Sequence, residues 1–537
     1  MAITAMAMVR KINQLRSANV VALLSWCVIS SSTLAGEWQF APSLALEATH
    51  TDNVELTIVN PISSLVSQVN AGLTSEYQSQ FIHFEFSGET SNVFYSHDHD
   101  LDDDFLTLDT AAIYALGDSG LQLVASGKIE NISRNSAKNS LADLVSGDTI
   151  QSERYISGLR YLINNNAFSV SASLLYNTNK VEDSIGEYDG VVGILSTENT
   201  NNARHVFWQA SSSFFDRSSD DFGEKRTGEQ FRIEALLGAI TAFGFNPFIR
   251  YYDEDFSGNF ANQNQETTSS WGPGIRWLAS PHLKIDVSYN YVADETVSDN
   301  YVSSSIQWEP SARTSFTAGY SKRFFGDSYN LDLQHKTKRL TNAITYDESI
   351  EVFDRYNYQQ VDIGTFWCPA GSDNISILQC ALQAEQPVEG DYELRRLSQL
   401  EPLQSNEFSL NKQFSWRSTL TLPRTSFILN ANASRREKLE TDVIDDTLTA
   451  SLTITRKISG KSNLTLLAQF DYLIFDKNNP EGIRQEDYYR TVSATYTKDL
   501  ASSLSTDFTV QHVNRDSTVE LYSYDEVRAI INVKKEF

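Results

Sequence analysis

Apolar and polar residues alternate with a period of two along almost the whole chain, in runs of roughly 10–16 residues. Leu283, Ile285, Val287, Tyr289 and Tyr291 are interleaved with Lys284, Asp286, Ser288 and Asn290. Tyr329, Leu331 and Leu333 alternate with Asn330, Asp332 and Gln334, and Leu448, Ala450, Leu452 and Ile454 with Thr449, Ser451, Thr453 and Thr455. Only an extended backbone turns successive side chains to opposite faces, so each run predicts a strand with one apolar and one polar side. The runs exceed the ~5–6 residues of an ordinary globular strand. They suit the tilted strand of a membrane barrel, which needs about 9–11 residues to cross.

The connections fall into two classes. Short links near 78–80, 117–120, 164–166, 280–282, 311–313 and 460–462 alternate with longer polar stretches such as 96–104, 134–151, 257–268 and 355–404. Short turns on one rim and long loops on the other are the layout of a transmembrane up-and-down antiparallel β-barrel. With both ends of the barrel on the short-turn rim, every strand that feeds a long loop must run the same way. Strands counted from 37 to 183 end upward, and the turns after about 203 demand another upward strand. One downward strand must lie between them, and Tyr188 to Thr197 supplies it. The tally is about 24 strands, with 22 the alternative if a weak hairpin is miscounted. At ~4.8 Å between strands and ~40° of tilt the ring is roughly 45–50 Å across, too wide for its own side chains to fill.

Composition fits this reading. The 537 residues include 43 Lys and Arg against 69 Asp and Glu, a net charge of −26, which argues against a nucleic-acid partner. With 41% hydrophobic residues the chain is not disordered. Beyond residue 36 no run approaches the ~18 apolar residues of a membrane helix. Residues 1–36 place Arg10, Lys11 and Arg16 before the apolar run Val20 to Ile29 and end in small residues, which predicts a secretory signal cleaved after Ala35. Glu37 stands where a lipoprotein would need Cys. Cleavage removes Cys27, and in an oxidising compartment the remaining Cys368 and Cys380 most simply form a disulfide. A metal pair is the weaker alternative, since no His lies near. The expected organisation is a signal peptide (1–36), one barrel (37–537) and, within it, a disulfide-clasped extracellular insert (355–404). No plug domain is expected before the first strand, which argues against a TonB-dependent receptor.

Aromatic residues gather at strand ends, as in Trp38 and Phe40, Tyr251 and Tyr252, Trp271 and Trp277, Phe324 and Phe325, and Tyr488 and Tyr489, where membrane-interface girdles would lie. The last strand alternates through Val527, Ala529, Ile531 and Val533 and ends on Phe537. That ending resembles the signal read by the barrel-assembly machinery of bacterial outer membranes, although Lys535 stands where an apolar residue is usual. The entry Trp38-Gln39-Phe40-Ala41-Pro42 followed by Thr51-Asp52-Asn53, the stretch Trp271-Gly272-Pro273-Gly274-Ile275-Arg276-Trp277, and Gly319-Tyr320-Ser321-Lys322-Arg323-Phe324-Phe325-Gly326 are similar to stretches of one family. They resemble the outer-membrane β-barrels associated with PEP-CTERM and exopolysaccharide gene clusters of Gram-negative bacteria. The likeness is sharpest from about 266 to 440 and departs around 186–225. It implies an outer-membrane location and a barrel fold, and a part in polysaccharide export more loosely.

Alternation places Arg232, Arg250, Arg276, Lys284, Arg323, Lys336 and Lys338 on the polar face, interleaved with Glu234, Asp286 and Asp332. These ten are the candidate lumen-lining residues. One reading is a basic stripe that guides an acidic polysaccharide; the other, favoured, is that facing charges pair and keep the lumen wet. Lys322 to Gly326 also reads as a rim anchor with its aromatics in the interface. The run His97 to Asp104 is the densest charge cluster and suggests a divalent-ion site or, more simply, a solvated loop. Within the insert, Asp373 as N-cap with Ile375, Leu378 and Leu382 on one face predicts a short amphipathic helix. That insert is either a lid over the pore or a stapled surface loop. The eight His are scattered, and no nucleophile elbow, phosphate loop, zinc spacing or dinucleotide fingerprint occurs. The expectation is therefore no enzyme, no catalytic residue, no cofactor and no metal. Expected partners are outer-membrane lipid and lipopolysaccharide, the assembly machinery, and polysaccharide with periplasmic export components. Two functions stay open: an export channel for exopolysaccharide or surface polymer, and a non-conducting barrel that binds surface polymers or PEP-CTERM proteins.

Overall fold

A strand with one apolar and one polar face is stable in a membrane only if the sheet closes on itself, because closure leaves no unpaired edge and separates a dry outside from a wet inside. The computed structural model describes residues 36–58, 60–146, 148–199, 202–221, 224–259, 266–293, 299–370, 380–382, 391–404, 407–478 and 484–537. Within them a 24-stranded antiparallel sheet closes into a ring. The predicted signal lies outside the described residues apart from Gly36, the first residue of β1.

The first strands are β1 (Gly36–Thr51), β2 (Ser64–Ser79), β3 (Ile82–Tyr95), β4 (Asp103–Ala115), β5 (Leu121–Ser133), β6 (Thr149–Asn164), β7 (Phe168–Val181) and β8 (Tyr188–Asn199). The strand that parity demanded at Tyr188 is thus β8. The middle of the wall holds β9 (Val206–Asp221), β10 (Glu224–Ala239), β11 (Phe245–Gly258), β12 (Glu266–Ser280), β13 (Leu283–Val292), β14 (Tyr301–Ser311), β15 (Thr314–Arg323), β16 (Gly326–Lys336) and β17 (Leu340–Glu351). An excursion follows with a small separate sheet of β18 (Asn357–Pro369), β19 (Ala381–Leu382) and β20 (Tyr392–Leu403). The wall resumes with β21 (Ser409–Thr421), β22 (Thr425–Lys438), β23 (Ile444–Ser459), β24 (Ser462–Phe475), β25 (Gln485–Ala501), β26 (Leu504–Ser517) and β27 (Tyr524–Glu536).

The ring closes where β1 meets β27, with Ser43 opposite Glu536 and Thr51 opposite Arg528. Pairing with β27 starts just after Pro42, which has no N–H to give to a ladder. Outward side chains are apolar and exposed, including Leu237 at 61% and Ile249 at 60%, whereas the intervening Arg250 is 3% exposed. Among the described residues no helix is long and apolar enough to cross a membrane, and the crossing is made by strands. The described residues form a 24-stranded barrel with an apolar outside and a polar inside, the arrangement of a transmembrane barrel. Both barrel ends lie on the short-turn rim, which is the periplasmic one.

Three expectations need correction. Two connections on the long-loop rim are themselves tight: two residues separate β9 from β10 and, as Phe324-Phe325, β15 from β16. Tyr252 and Tyr489 face inward and are buried, as their parity with Arg250 and Asp487 requires, so they belong to no outer girdle; Trp38, Trp271 and Trp277 do face out. Asp373, Ile375 and Leu378 lie outside the described residues. Leu382 pairs with Phe366 as part of β19, so it sits on a strand rather than a helix face.

The wall is not evenly curved. Cα atoms of β11 and β13 approach within 8 Å across the intervening β12, whereas second neighbours in a flat sheet lie about 9.6 Å apart. The sheet therefore folds sharply inward along β12. A Cβ at Gly272 would sit 1.8 Å from the Tyr289 carbonyl oxygen, and one at Gly274 2.4 Å from the Phe248 ring. Glycine at both positions lets the neighbouring backbones close over the crease.

Candidate functional site: the creased wall and the loop-spanned mouth

Inside the crease, polar side chains from β9 to β16 converge. Arg250 donates from Nε to Glu234 Oε1 at 2.7 Å, and through its other nitrogens to Asn290, Tyr301 and Ser321, each at 3.2 Å. Ser321 is on β15, four strands from β11, and only an inward fold of the wall brings it within reach. Arg323 grips both carboxylate oxygens of Glu254, and Tyr252 donates to the same carboxylate at 2.7 Å. Arg276 makes a two-pronged pair with Asp286 at 2.7 and 2.8 Å, donates to Gln209 at 3.1 Å and lies 4.2 Å over the Phe207 ring. The bidentate geometry is the one guanidinium favours with carboxylates.

The crease thus gathers most of the predicted lumen residues. Arg232, Glu234, Arg250, Asp286 and Arg323 line one cavity of about 370 Å³. Glu234, Lys284 and Asp286 line a neighbouring one of about 220 Å³. Arg250, Arg276 and Arg323 are each closed onto a carboxylate, so they form no open basic stripe. Arg232 instead rests 5.5 Å over the Tyr252 ring. Asp332 stands apart, accepting from Gln334 at 3.4 Å. Lys336 ends β16 and Lys338 lies in the following turn, both exposed. The chain reverses at 337–339, so Lys338 belongs to the short-turn rim and not to a lumen strand.

The Phe324-Phe325 turn is not an interface anchor. Both rings pack into a cluster with Phe215, Phe256, Val352 and Phe353, Phe324 lying 4.9 Å from Phe256. Val352 and Phe353 open the excursion between β17 and β21, which runs over 352–408 and is wider than the predicted 355–404. Cys368 and Cys380 are disulfide-bonded within it.

At the long-loop rim two segments leave the wall and meet. The first is 134–148, between β5 and β6. Arg515 on β26 donates to Ala137 O at 2.8 Å and pairs with Asp487 on β25 at 2.8 Å, while the Tyr489 hydroxyl accepts from Ser140 N at 3.2 Å. Arg528 on β27 pairs with Asp143 at 2.8 Å. Round the ring, β27 and β1 to β4 lie between β26 and β5, so these contacts require the segment to fold in over the lumen. The second is the base of the excursion. Arg355 holds Asp183 at 2.9 Å and Arg134 O at 2.7 Å, Gln404 donates to Ser219 at 3.0 Å, and Asn135 donates to Leu400 O at 2.8 Å. Tyr358 stacks edge-on against Phe475 with centroids 5.1 Å apart and shares its cluster with Ala137 and Leu400. Burial pushes the Tyr522 phenol up to about 12, so it stays protonated towards Gln399, 3.5 Å away.

Alternation had not singled out these mouth residues. Arg515 and Arg528 do sit on the polar face at the loop end of their strands, a signal that was legible. Arg134, Arg355 and Gln404 lie in loops, where no period marks a direction. In the acidic run, Asp102 accepts from Tyr95 N at 2.8 Å, Asp98 from Asp100 N at 2.9 Å, and His97 bonds Ser64 at 2.8 Å. Those carboxylates shape the loop. Among the described residues Glu76, His83 and Glu85 are the group whose ligand atoms lie within 4.8 Å of one another, with His83 on Glu85 at 2.8 Å.

No protein-family model matches the chain, and no curated protein matches it in sequence. Solved structures are similar in fold only. The siderophore receptor PirA from Pseudomonas aeruginosa aligns at 8% identity over 93% of this chain and 80% of its own, TM-score 0.40. The FrpB iron transporter from Neisseria meningitidis aligns at 8% over 92% and 82%, TM-score 0.42. A loop-deletion form of OmpT, an outer membrane protein of Vibrio cholerae, aligns at 8% over 94% and 100%, TM-score 0.31. At such scores the architecture rests on this chain's own strand pairing.

Proposed function

We propose that the protein is an outer-membrane channel closed at its extracellular mouth by 134–148 and 352–408, and that it serves export of an exopolysaccharide or similar surface polymer. The observation that carries the gated-channel reading is the meeting of these two segments over a ring of 24 strands, a ring whose wall cannot fill it. Mixed charge and abundant Ser, Thr, Asn and Gln on the inner face suit a hydrated solute. The polymer as cargo rests on the resemblance to exopolysaccharide-associated barrels. A second reading, a non-conducting barrel whose loops bind surface polymers or PEP-CTERM proteins, draws on the closed ion pairs that pin the mouth.

Planar-bilayer conductance separates the two. The wild-type chain is expected to conduct weakly, and a variant with 357–403 replaced by a short Gly-Ser link to conduct more than the wild type, with 134–148 still across part of the mouth. Loss of secreted polymer on gene deletion is expected for the export role. A silent barrel in both forms, together with normal secretion, would overturn the channel reading in favour of the binding barrel.

A further inference from the structure

The chain is strongly acidic, yet one arc of its short-turn rim is cationic. On the outer face of β23, Leu452 and Ile454 lead to Arg456; on β25, Val492 and Tyr496 lead to Lys498; on β27, Ile531 and Val533 lead to Lys535. Each cation thus follows lipid-facing apolar residues on the same side of its strand, at the periplasmic end. The turns between add Arg339, Arg424 and Lys461, all exposed. Among the described residues Arg339, Arg424, Arg456, Lys461 and Lys498 have no ion-pair partner. At the same ends of β25 and β27 stand Asp499 and Glu536, and Glu536 is held by Lys534 at 3.1 Å. On the rest of the rim the turns at 116–120, 165–167 and 240–244 carry no Lys or Arg, and those at 200–205 and 312–313 carry one each, Arg204 and Arg313.

We infer that this arc, from β16 to β27, is a binding surface for anionic phospholipid headgroups of the periplasmic leaflet. The cations stand where side chains with apolar stems reach headgroup phosphates while their stems stay against lipid. Lys535 lies 5.6 Å over the Phe537 ring and donates to Ser503, which fixes it at the membrane boundary. This accounts for a lysine near the C-terminus where an apolar residue was expected: it completes a row on alternate strands with Arg456 and Lys498. The row of outward strand-end cations lies on this arc, and with the turn cations beside it gives the barrel a side that prefers anionic lipid. The inference is independent of what the barrel transports.

The test uses the full chain in nanodiscs of phosphatidylcholine containing a minor fraction of spin-labelled phosphatidylglycerol, compared with spin-labelled phosphatidylcholine. Wild-type protein is expected to enrich phosphatidylglycerol in its boundary shell, by up to about fivefold per cation at low ionic strength, and to lose the preference in high salt. The triple variant Arg456→Gln, Lys498→Gln, Lys535→Gln is expected to lose most of it, and Arg339→Gln, Arg424→Gln, Lys461→Gln to lose part. Heat-modifiable gel mobility confirms that each variant is folded, and K498Q alone serves if the triple variant fails to assemble. Equal shells for the two lipids in wild type, as expected if the arc instead docks an acidic protein, would overturn the inference. So would an enrichment that survives both triple variants.

Discussion

Arg323 and Glu254 show what a charge inside a membrane barrel requires. Glu254 is 0% exposed and Arg323 3%, and neither would be stable there alone. Together with Tyr252 and Gln230 they satisfy one another. Replacing Glu254 by Gln leaves the guanidinium buried without its counter-charge. The expected cost is about 3–5 kcal/mol, read as a lower urea midpoint for the folded barrel in detergent. The double variant Glu254→Leu, Arg323→Met is expected to recover most of that loss, because two packed apolar groups replace a desolvated pair. A single variant with an unchanged midpoint would show that the pair contributes nothing. Parity had put Arg323 on the polar face, and that much was legible. Glu254 was passed over because Asp253, Glu254 and Asp255 are consecutive acids near a loop, where alternation fades. Its role depends on a fold of the wall that no local pattern encodes.

At the scale of the element, strand order and direction were legible because the side-chain period is two, and a slip of one residue would turn every apolar side chain into the lumen. The crease was not, since it is a bend between strands rather than a property of one. Its trace is the Gly-Pro-Gly of β12, which alternation treats as neutral. Gly272→Ala places a methyl on a neighbouring carbonyl, and backbone must move by more than an ångström to admit it. The expected outcome is a loss of the heat-modifiable folded band on refolding into detergent, or a folded form in which Arg250 no longer reaches Ser321. By contrast a Cβ at Gly460, in a turn, meets nothing within 4 Å, so Gly460→Ala is expected to fold normally. Equal folding yields for the two variants would mean that the wall relaxes easily along β12.

For the whole molecule the question is whether the mouth is held shut by the disulfide-bonded excursion or by 134–148. The excursion is the larger and is rooted in the wall at both ends, and besides the loops of β7–β8 and β5–β6 it touches β9 through Gln404 and Ser219, β24 through Tyr358 and Phe475, and Tyr522 beyond β26. The shorter segment is pinned by Arg515, which is 1% exposed, and by Arg528 from the adjacent strand. Their carboxylate partners lie on three different elements, β25, β27 and the segment itself. A ring of 24 strands has more wall than a 16–18-stranded porin and is expected to pass more current if both segments are removed, so each segment's share can be measured separately. Arg515→Met combined with Asp487→Leu removes the pin and its partner together, avoiding an orphaned buried charge. It also frees the Ala137 carbonyl from its guanidinium donor. The expected outcome is a rise in bilayer conductance, with noise from a mobile segment, while the excursion stays in place. If conductance stays at the wild-type level and rises only when 357–403 is removed, the excursion alone is the gate and 134–148 is its footing.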